Sequence, residues 1–291
     1  MFDFNNIIKK YNYDKEFSLF LYEVYNNLVS YYGNEDIIYN AFLNTKIINT
    51  SNIYEYLKEN AMIEQDTLVT EKDLKRCLGI YTSKPLIVSS NNKYKITEIK
   101  RVVLVKDFDI NSTEKKATLI HELCHMVKSY EEEYIIKSDI LLNRSGLIER
   151  YYILNNKDNI VQMELIREKG VGLEEGLTTL SEEILTRNIV DKDYKQKGYG
   201  AVYILAKKLN EHLNESLVKY ASVHHDKDLL YNNFGIDYQE LENLSDIVYK
   251  LNLKMYSLVF EPEEIETIKK IIIKIIEEYK TVLNKEKGKS K

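Results

Sequence analysis

His121, Glu122 and His125 stand in the pentapeptide His-Glu-Leu-Cys-His at residues 121–125. On a helix of about 3.6 residues per turn, positions i and i+4 lie one above the other. Both imidazoles then reach a single ion, and Glu122 lies at its flank as a base; this spacing predicts a zinc site built for hydrolysis. A catalytic zinc takes three protein ligands and leaves a fourth position for water, so a third donor has to come from elsewhere in the chain. The best source is Leu173-Glu174-Glu175-Gly176-Leu177-Thr178-Thr179-Leu180-Ser181-Glu182. On a helical wheel Leu173, Leu177, Leu180 and Ile184 form the apolar face, with Glu174 at its edge and Glu175 opposite. If only one face of that helix is buried, Glu174 is the more natural ligand, so the wheel leaves both glutamates open.

The metzincin pattern does not fit, because it places a glycine three residues after the second histidine and a His or Asp three further on. This chain has Lys128 and Glu131 there. It resembles the gluzincins instead, in which HExxH is completed by a glutamate on a later helix, commonly in Asn-Glu-Gly or Asn-Glu-x-x before an apolar stretch. Glu175, directly before Gly176, matches that ligand; Glu174 stands where many members have asparagine, and Glu182 matches a later glutamate present in some. The resemblance spans residues 101–186 at most. It implies one catalytic Zn2+ held by His121, His125 and Glu175, and hydrolysis of a peptide or protein substrate with Glu122 as general base. It also implies a tyrosine or histidine that stabilises the oxyanion. Tyr199 is the first candidate for that role, with Tyr203, His224 and His225 as alternatives. Two competing functions remain: a binding protein that kept the site without turnover, and a zinc hydrolase of non-peptide amides or esters. Glu122 speaks against the first, since a structural zinc needs no base.

The elements that must position these residues follow from local pattern. Two prolines and ten glycines in 291 residues permit long helices almost everywhere. The expected fold class is α+β: a mostly helical zincin-like core with a small mixed or antiparallel sheet and additional N- and C-terminal helices. Residues 1–75 read as a helical N-terminal region, 76–260 as the catalytic domain, and 261–291 as a C-terminal helix and basic tail. Between Tyr81 and Phe108, the β-branched runs Pro85–Val88, Tyr94–Ile96 and Arg101–Val105 predict a small sheet, with Asn91-Asn92 between two of them. Asn111 and Glu114 have capping-box spacing and open a helix that carries His121 to about Tyr130. A strand pair is expected over 133–142 and 147–154, joined by Asn143 to Gly146. Helices follow over 172–186, 199–213 and 263–283, the last packed through Ile265, Ile268, Ile272, Ile275 and Ile276.

Composition excludes several partners. A net charge of −5 gives no basic footprint for nucleic acid. No apolar run approaches membrane-spanning length, and the first thirty residues lack the basic start, apolar stretch and small-residue site of a secretion signal. A cytoplasmic protein is the expectation, of open oligomeric state. Cys77 and Cys124 make no disulfide framework, and Cys124 reads as core packing under the zinc helix. Glu131-Glu132-Glu133 reads as a solvated helix end, and His224-His225 as a solvated loop.

Overall fold

The computed structural model describes residues 2–63, 71–90, 93–157, 160–196, 200–212 and 214–257, with Lys270 and Lys274 beyond them. The chain opens with helices α1 (Asn5–Tyr11), α2 (Lys15–Tyr32) and α3 (Glu35–Asn44), then strand β1 (Lys46–Thr50) and helices α4 (Ile53–Glu59) and α5 (Glu71–Arg76). Next come β2 (Gly79–Ser90), β3 (Lys93–Lys106) and the helix α6 (Thr113–Ser129). A meander of β4 (Glu133–Lys137), β5 (Ile140–Ser145), β6 (Ile148–Lys157) and β7 (Ile160–Lys169) leads into α7 (Val171–Ile189). Helices α8 (Gly200–His212), α9 (Glu215–Val223), α10 (Lys227–Phe234) and α11 (Ile236–Ser257) complete the described chain.

The fold is α+β. One sheet has the order β1-β3-β2, with β1 parallel and β2 antiparallel to β3; the other is the antiparallel order β4-β5-β6-β7. The unbroken apolar run Val102 to Val105 on β3 has its cause here. Val103 and Val105 face a core shared by α1, α2, α3 and α6, whereas Val102 and Leu104 face a second core with Ile53, Leu57 and Leu74 of α4 and α5. A strand covered on both faces has no solvent side on which to place polar residues. The first core also takes Leu119, Ile120, Leu123, Cys124, Met126 and Val127 from α6, so the inner face of the histidine helix is bolted to the N-terminal helices. A third core joins Leu173 and Leu177 of α7 to α8, α9, α10 and α11. No helix among the described residues is long and apolar enough to cross a membrane.

Several local expectations are corrected. Residues 46–50 are a strand inside the region expected to be helical: Ile47 pairs in register with Val103 and packs into the core beneath α6. The N-cap of α6 is Ser112, whose Oγ accepts from Lys115 N at 3.3 Å, rather than Asn111. The first strand of the expected pair is split at Ser138, which has φ +58, and Asn143 to Ser145 belong to β5 rather than to a turn. Strand β7 was not anticipated, although its alternation places Val161, Met163 and Leu165 against the core face of the meander. Helices α9, α10 and α11 were also unforeseen; they are held by burying Val218, Leu230, Leu241 and Val248 against α7 and α8. Asn91-Asn92 and the helix expected over 263–283 fall outside the described residues, apart from Lys270 and Lys274.

Candidate metal centre

Helix α6 buries its apolar face on the first sheet and the N-terminal helices, and α7 packs against it. His121 and His125 thereby meet Glu175 across the helix pair. The Nε2 atoms of the two imidazoles are 3.2 Å apart, and Glu175 Oε2 lies 3.5 Å from Nε2 of His121 and 3.4 Å from that of His125. Zinc bonds of about 2.0–2.1 Å at tetrahedral angles put neighbouring donor atoms about 3.3 Å apart. The observed triangle has the dimensions of one face of such a tetrahedron. The donor chemistry also fits, since two imidazole Nε2 atoms and a carboxylate oxygen converge on one point. Among the described residues, His121, His125 and Glu175 form the one group of potential ligands this close together. Their side chains are 11%, 13% and 14% exposed, mostly buried but not sealed.

The outer nitrogen of each imidazole has its own partner. His121 Nδ1 donates to Glu182 Oε2 at 2.9 Å, and Tyr194 OH donates to the other oxygen of that carboxylate at 2.6 Å. His125 Nδ1 stands 3.4 Å from Thr178 Oγ1. A carboxylate behind a ligating imidazole fixes its tautomer and raises its basicity. Burial by itself would lower the pKa of His121, but hydrogen bonds to Glu175 and Glu182 outweigh it and raise the value to about 10 among protein groups alone. Burial likewise opposes ionisation of Glu175, yet His125 and His121 hold its carboxyl well below the ordinary range.

Glu122 points to the flank, as its place in the motif requires. Its Oε2 accepts from the backbone N–H of Tyr81 on β2 at 2.7 Å. Burial pushes its pKa up, against the opposing effect of the two histidines. The close approach of β2 depends on Gly79, where a Cβ would stand 2.7 Å from Thr118 Cγ2 and 2.9 Å from Glu122 Cγ. Nearby, Cys77 donates from Sγ to Gly79 O, and burial, then the charge of Glu122, pushes its thiol up to about 12. An inert thiol is the consequence.

Glu174, the alternative ligand, is turned away from the histidines and forms a buried ion pair with Lys128. It also accepts from Leu147 N at 2.9 Å and from Ser222 Oγ at 3.3 Å. Burial opposes its ionisation, but the Lys128 ammonium outweighs this and lowers its pKa. The wheel's premise of one buried face fails because α7 is enclosed on nearly all sides. Three of its hydroxyl residues, Thr178, Thr179 and Ser181, are buried and donate to carbonyls one turn back, at 2.8, 2.8 and 2.9 Å.

Of the oxyanion candidates, His224 and His225 have their partners away from the histidine pair. Tyr199 lies outside the described residues. Tyr203 is on α8, its pKa raised by burial and then by the charge of Glu183. His224 Nδ1 is 3.5 Å from Glu131 Oε2. His225 is buried rather than solvated, with φ +55 and Nδ1 3.3 Å from Gly146 O. Glu132, expected in solvent, is buried and paired with Arg101 at 3.2 Å. Cys124 is core packing, as expected. Neither residue type nor spacing marks out Thr178, Lys128, Tyr194 or the Tyr81 amide, because each is recruited by packing between elements. Compared with protein-family models, with curated proteins and with solved structures, the chain matches none.

Proposed function

We propose that this protein is a zinc-dependent hydrolase of peptide bonds, with a gluzincin-like arrangement of an HExxH helix followed by a glutamate helix. The observation that carries this is the triangle of His121 Nε2, His125 Nε2 and Glu175 Oε2, with sides of 3.2, 3.4 and 3.5 Å. His121 and His125, each neutral and protonated on Nδ1, would hold the ion with the Glu175 carboxylate. Zinc in such a site supplies a Lewis acid and lowers the pKa of a water it binds to about 7. Glu122 takes the proton from the attacking water and returns it to the leaving amine. The Tyr81 N–H keeps one of the Glu122 oxygens in place while the other is left to carry the proton. Glu182 and Tyr194 hold His121 in its ligating orientation.

Metal analysis of purified wild type, Glu175→Ala and Glu122→Gln, together with digestion of a peptide library, tests this. Wild type is expected to carry one zinc per chain and to cut peptides. Glu175→Ala should lose both properties, and Glu122→Gln should keep the metal and lose hydrolysis. A wild type that binds no zinc, or a Glu122→Gln variant that still cleaves, overturns the proposal. Cleavage of esters or other amides without peptides would move the substrate class.

A further inference from the structure

To ligate through Nε2, an imidazole must carry its proton on Nδ1, and some group must receive that proton. For His121 the receiver is the Glu182 carboxylate, which can only accept. For His125 it is the hydroxyl of Thr178, 3.4 Å from Nδ1, and a hydroxyl is ambiguous because it donates as well as accepts. Were Thr178 to donate to Nδ1, the ring would carry its hydrogen on Nε2, pointing at the metal position, and could not bind.

The surroundings of Thr178 remove that ambiguity. Its Oγ1 has one proton and two lone pairs. The proton goes to the Glu174 carbonyl at 2.8 Å. One lone pair is taken by Lys128 Nζ, which has no lone pair of its own and can only donate. The second lone pair faces His125. Lys128 is itself fixed: it is fully buried, and its three protons are used by Thr178 Oγ1, the Glu174 carboxylate and the Glu174 carbonyl. Each ligand helix thus supplies a ligand and, three residues later on the same face, a support: His125 and Lys128 on α6, Glu175 and Thr178 on α7.

We propose that Thr178, its lone pair occupied by the buried Lys128 ammonium, is the positioning residue that fixes His125 in its metal-binding tautomer. This rests on His121, His125 and Glu175 being a zinc site. It assigns a hydroxyl and an ammonium, neither touching the ion, to setting how tightly zinc is held.

The test is zinc affinity, measured by chelator competition on Thr178→Val, Thr178→Ser and Thr179→Val, each shown folded by circular dichroism. Thr178→Val is expected to bind zinc about ten- to a hundredfold more weakly, the usual cost of losing an imidazole's outer partner. Thr178→Ser keeps the hydroxyl and should restore near wild-type affinity. Thr179→Val loses an equivalent bond to a carbonyl one turn back, that of Glu175, without touching a histidine, and should leave affinity unchanged. Equal weakening in the two valine variants, or none in Thr178→Val, overturns the proposal while leaving the zinc site standing. A wild type that binds no zinc overturns both. If Thr178→Val does not fold, the Nδ1 proton of His125 in zinc-loaded wild type decides: it should be visible by NMR and protected from solvent exchange, and rapid exchange refutes the hydrogen bond.

Discussion

Glu174 and Glu175 are neighbours in sequence, and replacing each with alanine should give opposite phenotypes. Glu174 lies in the interior: its side chain is 2% exposed and that of Lys128 1%, so Glu174→Ala strands a buried ammonium. Removing one partner of such a pair costs about 3–5 kcal/mol, because the remaining charge keeps its desolvation penalty without its counter-charge. The same substitution strips Leu147 N–H of its acceptor, a loss that keeps the total at the upper end of that range. Against a whole-domain stability of about 5–15 kcal/mol this is a large fraction. Urea denaturation of zinc-free protein should therefore show the midpoint of Glu174→Ala far below that of wild type, while the fraction still folded takes up zinc. Glu175→Ala should fold and take up none. Pairing Lys128→Met with Glu174→Leu should recover much of the lost stability, because no charge is then left buried. A Glu174→Ala variant that loses zinc with less than about 1 kcal/mol of destabilisation would refute the division of roles.

Two further outcomes follow from particular contacts. The pKa of Glu174 is lowered in the folded state, so its stabilising contribution is complete above the unfolded value of about 4.3 and is lost as pH falls through the lowered value. The stability gap between wild type and Glu174→Gln, measured by denaturant titration at a series of pH values, should be widest at neutral pH and close in acid; a gap independent of pH would contradict the assignment. Gly79→Ala drives a Cβ into Thr118 and Glu122 and should push β2 away from α6, taking the Tyr81 amide off the Glu122 carboxylate. Zinc content should be kept and peptide hydrolysis should fall, with wild-type turnover as the disproof.

How far the site was legible in the sequence depends on which forces set each part. His121, Glu122 and His125 were readable because they lie within one helix, where 3.6 residues per turn fixes which side chains share a face. The helix over 172–186 and the strands that contain 85–88 and 101–105 were readable for the same local reason, since periodicity and β-branching act over a few residues. Strand β1, the α9 to α11 cap and the buried state of Glu132 and His225 were not readable, because each depends on what packs against it from elsewhere in the chain.

The choice between the two glutamates shows the limit most clearly. Consecutive residues on a helix point about 100° apart, so one spacing serves either ligand, and only the neighbours of α7 decide between them. Lys128 claims Glu174, and the histidine pair faces Glu175. Helix geometry alone set the His121, Glu122 and His125 side chains beside one another; their meeting with Glu175, and the groups that hold the two imidazoles, came from how two distant helices settle against each other, which no local pattern encodes.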